Sequence, residues 1–234
     1  MRPDGSTPLQ SAAKGGHAQI VKSLCENGAW INDNLKYDML GVAAGRGFYK
    51  LAEVLISLGS PLNAAYVYEH NSPLHHAAEA GHGDLVRLLM QQGADLEFRN
   101  ADNHTALSLA ARMKHIATIK QLHNQGADID AISKCDYTPL IWAAERGHTQ
   151  VIRTLLEAGA NIEARTAFGQ TALHLAAEFG QTAAAKVLLE HGANTKARDF
   201  EYFRTPLDWA ATNGHVGVVK CCPPQASHPE SSVV

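Results

Sequence analysis

The chain has 234 residues, of which 45% are hydrophobic, 6% aromatic and 18% charged, enough apolar material for one or two packed domains. Its formal net charge of -3 at pH 7 gives no general attraction to nucleic acid. No run approaches the ~18 consecutive apolar residues of a membrane span, and the opening "MRPDGSTPLQSAAK" lacks the apolar stretch of a signal peptide. The cysteines, Cys25, Cys135, Cys221 and Cys222, have neither disulfide-framework nor zinc-site spacing. A reducing compartment, cytosol or nucleus, is expected.

Taken in chain order, the elements repeat. "TPLQSAAKGGH" begins at Thr7 and a weaker copy, "DMLGVAAGRGF", at Asp38. "SPLHHAAEAGH" follows at Ser72, "TALSLAARMKH" at Thr105, "TPLIWAAERGH" at Thr138, "TALHLAAEFGQ" at Thr171 and "TPLDWAATNGH" at Thr205. Six of the seven carry a second marker downstream: "NGAWIN", "LGSPLN", "QGADLE", "QGADID", "AGANIE" and "HGANTK". Its glycines at 93, 126, 159 and 192 are spaced by 33, whereas Gly28 to Gly59 is 31 and Gly59 to Gly93 is 34.

The fifth copy shows the local physics. Thr138 is a helix cap and Pro139 suits the first helical position. Leu140, Ala143 and Ala144 share a face, and the alanines allow close helix approach. Gly147 ends this helix, since glycine tolerates a left-handed backbone. Val151, Ile152, Leu155 and Leu156 form the apolar face of a second helix, stopped at Gly159. Neither helix can bury its face alone, so neighbouring copies must stack. The second copy departs: it has Asp38-Met39 in place of the Thr-Pro start, and Gly41 within its helix. The fourth has Lys114 where glycine is expected, at a site of positive φ if the pattern holds.

These registered copies resemble the ankyrin repeat over about residues 4–222. The resemblance implies an all-α fold of antiparallel helix pairs with β-hairpin-like loops, stacked into a curved solenoid as a single elongated domain. The array is expected over 1–222, in units near 4–33, 34–64, 65–98, 99–131, 132–164, 165–197 and a truncated 198–222. Residues 223–234, opening on Pro223-Pro224, read as a disordered tail. The abrupt ends suit a fragment, an isoform or an imperfect gene assembly.

Enzyme signatures such as G-x-x-x-x-G-K-[ST], H-E-x-x-H and G-x-S-x-G are missing from the sequence. Glu145 and Arg146 are consecutive, so on a helix they do not face each other. His17, His82, His115, His148 and His215 occupy one repeat position, about 8–10 Å apart between neighbouring units. That spacing cannot converge on one zinc, whose ligands lie about 2.0–2.1 Å away. These imidazoles are expected to bond to backbone. No enzyme activity, catalytic residue, cofactor or metal is expected. Trp142 and Trp209 share an inner-helix position and are expected to pack; Trp30 stands near an end of the array without a clear role.

Function must then lie on the surface. The resemblance implies that partners bind loop tips and the exposed side of each first helix, on the concave face. Those positions hold Tyr66, Tyr68, Tyr137, Phe168, Tyr202 and Phe203 at tips, and Arg112, Met113, Glu145, Arg146, Glu178 and Phe179 near helix ends. Aromatics, Met and Arg are typical interface residues. The expected partner is another protein of mixed charge, bound by a monomer, with neither nucleic acid nor membrane engaged directly. Two alternatives remain: a nuclear co-regulator that binds a transcription factor, and the targeting arm of an enzyme whose catalytic domain lies elsewhere.

Overall fold

The computed structural model describes residues 7–63 and 71–222. They form two compact units, divided between Lys134 and Cys135. No sequence feature marks this division, because the 33-residue spacing runs through it from Gly126 to Gly159.

The first unit contains α1 (Pro8–Lys14), α2 (Ala18–Glu26), α3 (Asp33–Arg46), α4 (Tyr49–Ser57), α5 (Pro73–Ala80), α6 (Gly83–Gln91), α7 (Ala106–Arg112) and α8 (Ile116–Asn124). The second contains α9 (Pro139–Glu145), α10 (Thr149–Glu157), α11 (Ala172–Glu178), α12 (Thr182–Glu190), α13 (Pro206–Thr212) and α14 (Val216–Cys221). Within each unit the first helices of successive pairs make one row. Thus α1 packs on α3, α3 on α5 and α5 on α7, while α9 packs on α11 and α11 on α13. The second helices make a parallel row, α2–α4–α6–α8 and α10–α12–α14.

Apart from α3, each first helix begins where the sequence places its hydroxyl cap. Thr7, Ser72, Thr105, Thr138 and Thr205 accept hydrogen bonds from backbone N–H groups one turn on, satisfying donors the helix leaves open. The buried faces are small and close-fitting: Leu74, Ala77 and Ala78 in α5, Leu140, Ala143 and Ala144 in α9, Leu173, Ala176 and Ala177 in α11. The second helices add Leu85 and Leu89, Ile119 and Leu122, Val151, Ile152 and Leu155. Each such Leu or Ile contributes about 1.5–3 kcal/mol on burial. In α10 the buried face includes Thr154, while Leu156, assigned to it from spacing, is half-buried.

α3 differs from expectation. It starts at Asp33, five residues before the aligned Asp38, because Asn32 caps it by accepting from Leu35 N–H at 2.8 Å. The added turn buries Tyr37, whose hydroxyl donates to the Asn71 carbonyl at 3.2 Å. Gly41 has a packing role as well: a Cβ there would stand 3.3 Å from the His76 ring.

Between pairs, the connections are tight turns, with no strand among the described residues. They are hairpin-like in their bonding: Asn100 N–H donates to His104 O at 3.1 Å, Thr166 to Gln170 at 2.9 Å and Asp199 to Arg204 at 3.0 Å. Successive tips are joined too, Lys134 to Asp102 in the first unit and Ala167 to Cys135 and Phe200 to Phe168 in the second. The second marker supplies a further tie. Asn63, Glu97 and Glu163 accept from the backbone N–H of Asp95, Asp128 and Asn194, one repeat on, at 2.8–2.9 Å.

The repeated histidines hold repeats together. His115 Nε2 donates to the Glu79 carbonyl and His215 Nε2 to the Glu178 carbonyl, both at 2.9 Å. Where Gln181 replaces histidine, its amide makes the same bond to Glu145 O at 3.0 Å. Gly81 sits beneath such a ring with φ +75°, and a Cβ on it would lie 2.4 Å from His115. Lys114 has φ 67° at the corresponding place, as the expected glycine would. A second set spans repeats near the helix starts. His75 takes Ser72 N–H on Nδ1 and donates from Nε2 to His104 O at 2.8 Å; His174 repeats this with Thr171 and Arg204. Among the described residues, no helix is long and apolar enough to cross a membrane.

Candidate functional site

The second unit carries a groove of about 350 Å³ lined by Tyr137, Phe168, Gln170, Leu175, Glu178, Phe179, Asp199, Glu201, Tyr202 and Trp209. The repeat geometry assembles it. Tyr137, Phe168 and Tyr202 come from three successive loops, Phe179 and Glu178 from the end of α11, and Trp209 from the middle of α13.

Its floor is organised around Asp199, only 2% exposed. The Asp199 carboxylate accepts from Trp209 Nε1 at 2.7 Å and from the backbone N–H groups of Tyr202 at 2.9 Å and Arg204 at 3.2 Å. Burial raises the pKa of this carboxyl, but the three donors outweigh it and leave the net value below the ordinary carboxylate range. The anion therefore serves as a fixed strut, orienting the Trp209 ring and shaping the turn before α13. Tyr202 meets Trp209 edge to face at 6.1 Å, and the Arg204 guanidinium lies 4.9 Å and 5.0 Å from their ring centres.

The walls are aromatic and open. Phe168, Phe179 and Tyr202 are 49%, 51% and 53% exposed, a large apolar display for one unit. Phe200 and Phe203 are also exposed beside them, with Arg165 5.6 Å over the Phe200 ring. Phe200 lies against Gly169, where a Cβ would come within 2.5 Å of the ring. Carboxylates line the groove between the rings. Glu178 accepts from Gln170 Nε2 at 2.9 Å, and the neighbouring Glu201 carboxylate raises the Tyr202 phenol above its ordinary pKa.

The sequence-derived site residues fall into four sets. Phe168, Glu178, Phe179, Tyr202 and Tyr137 come together at the groove. Tyr137 is half-buried, however, packed on Trp142 at 4.6 Å, so it is wall more than free tip. Burial, then the neighbouring Glu145 carboxylate that accepts its hydroxyl, drives the Tyr137 phenol well above its ordinary pKa. Glu145 is thereby half-buried beside the groove, and Arg146 is exposed next to it. Arg112 and Met113 belong to the first unit and lie outside the groove. Arg112 makes an ion pair with Glu79 at 3.0 Å, and Met113 is 44% exposed. Tyr66 and Tyr68 lie outside the described residues, as does the 223–234 tail.

Sequence reasoning missed Asp199, Gln170, Glu201 and Leu175, and assigned Trp209 to packing alone. The available signal was the crowded "DFEYFRTP" before α13, which has an acid where other copies carry Asn100 and Thr166 at the turn start. Trp30, of unclear role, is 75% exposed in the turn before α3. No three His, Cys, Asp or Glu side chains gather as a metal-holding group among the described residues.

A family model described as "Ankyrin repeats (3 copies)" matches the chain in overlapping windows, 1–66, 40–133, 74–166, 114–199 and 162–221. Alpha-latrocrustotoxin-Lt1a of Latrodectus tredecimguttatus is 34% identical over 106 residues, 45% of this chain and 8% of that protein. The probable E3 ubiquitin-protein ligase XBOS34 of Oryza sativa subsp. japonica is 39% identical over 99 residues, 41% of this chain and 19% of its own. Ankyrin repeat and SOCS box protein 9 of Mus musculus is 31% identical over 106 residues, 44% of this chain and 36% of its own. In each case the match spans much less than two thirds of the relative.

Proposed function

The chain belongs to the ankyrin-repeat family, a protein–protein interaction fold without catalytic chemistry of its own, and from that premise we propose that it is a scaffold or adaptor whose second unit docks a partner protein in the aromatic groove. The observation that carries this reading is the gathering of Phe168, Phe179 and Tyr202, each about half exposed, around one cavity in a chain with 6% aromatic residues. Rings of this kind give interfaces large contact area at low ordering cost. The rigid helix rows beneath them limit what binding must freeze. In this reading the chain works as a monomer in the cytosol or nucleus.

The test is affinity capture from the native source with the wild-type chain and a Phe168→Ala/Phe179→Ala variant. Truncating two interface aromatics should weaken a true partner by about 30-fold or more, while thermal unfolding stays unchanged, since neither ring is buried. The same partners retained equally by both proteins would exclude the groove.

A second reading, a targeting arm that brings a substrate to an enzyme, draws support from the relatives named as an E3 ubiquitin-protein ligase and a SOCS box protein. It requires a catalytic or ligase-recruiting segment joined to this array in a longer transcript, and sequencing native transcripts tests it directly.

A further inference from the structure

The groove has a chemical character beyond being apolar. Its lining carries three carboxylates, Glu178, Asp199 and Glu201, and no Lys or Arg. Asp199 spends its charge on Trp209 and two backbone donors. Glu178 holds one internal donor, from Gln170, and an ionised carboxylate has further acceptor sites. Alongside them the faces of Phe168 and Phe179 are half open to solvent. The Arg204 guanidinium is already placed over Tyr202 and Trp209. Arg146 is exposed beside Glu145, outside the lining.

Arg204 also shows what these rings accept. It lies 4.9 Å from the Tyr202 centre and 5.0 Å from the Trp209 centre, and Arg165 lies 5.6 Å from Phe200. The loop aromatics of this unit already act as cation platforms through their negative faces. Against one internal guanidinium stand three carboxylates, so the groove keeps an excess of negative charge and unoccupied ring surface.

We infer that the groove recognises a basic linear segment of the partner, seating a Lys or Arg side chain between the Phe168 and Phe179 rings with its cation facing Glu178 and Glu201. This rests on the groove being the docking site, as proposed above. A volume of about 350 Å³ suits one or two side chains of an extended peptide. Electrostatic complementarity of this kind speeds association and rejects acidic segments.

The experiment pans a random linear peptide library, displayed on phage, against the immobilised full chain. Selected peptides are then measured by fluorescence anisotropy on wild type, Glu178→Gln/Glu201→Gln and Phe168→Ala/Phe179→Ala. The expected result is enrichment of Lys and Arg over the library composition. Affinity should fall about 3- to 10-fold on the Gln variant and further on the Ala variant, with binding weakened by added salt. Glutamine retains shape and hydrogen bonding, so a folding defect is not expected there; circular dichroism melts of each variant check this. Peptides that need Phe168 and Phe179 but are neutral or acidic would overturn the basic-segment inference and leave the docking site standing. Peptides indifferent to both variants, or no enrichment at all, would overturn both.

Discussion

Acidification should loosen this protein through a buried histidine before its carboxylates titrate. His75 is 1% exposed. Its Nδ1 accepts from Ser72 N–H, so the ring is the neutral tautomer that donates from Nε2 to the His104 carbonyl. Burial, the largest influence, lowers its pKa from 6.5 to about 4. Because the folded value lies below the unfolded one, the unfolded chain binds the proton first as pH falls. Stability is therefore complete above about pH 6.5 and is lost progressively toward pH 4. At about pH 5, roughly 1.5 units into that window, the loss is about 2 kcal/mol, at 1.36 kcal/mol per unit. His104 and His174 are lowered as well, again chiefly by burial, and add to the same trend. The histidine pKa can be read directly by NMR titration of the ring, and its energetic weight by amide exchange along α5 and α7 at pH 7 and 5. A His75→Gln variant should start less stable at pH 7 but lose about 2 kcal/mol less between the two pH values. A His75 ring that titrates near 6.5 while folded, or a pH dependence identical in both proteins, would refute the reasoning.

Further predictions concern the joints of the array. Gly81→Ala forces a side chain into φ +75° and toward His115 at 2.4 Å, and should cost at least about 1–2 kcal/mol, read as a lowered denaturation midpoint. Lys114→Gly should instead raise stability by about 0.5–1 kcal/mol, since φ 67° strains any residue with a Cβ. Trp209→Phe removes the 2.7 Å donor from buried Asp199 and should destabilise by about 1–3 kcal/mol, with faster amide exchange in the turn before α13.

Much of the fold was readable because it depends on local, repeated constraints. A hydroxyl at Thr138 caps a helix wherever it occurs, paired alanines such as Ala143 and Ala144 permit close packing, and Gly147 sits at φ +71° as a helix stop. The early start of α3 escaped notice because it depends on Asn32, which in the other copies' alignment belongs to a loop. The aromatic groove was legible only in part. Phe168, Phe179 and Tyr202 could be picked out as residues that vary between copies, but sequence position does not say whether a tip ring stands free or folds inward. Tyr137 turned onto Trp142.

By itself, the sequence determined the repeat period, the caps and stops of most helices, and the alternation of buried small residues with exposed variable ones. Each is set by contacts within a few residues or by a pattern copied down the chain. Only the tertiary structure decided which variable residues share a surface. Asp199 became a buried strut for Trp209 because a neighbouring helix brings the indole N–H to it, 10 positions away. Glu178 and Phe179 joined Phe168 and Tyr202 because stacking places helix ends beside loops of other repeats. Such meetings arise from three-dimensional convergence, which residue spacing along one chain does not encode.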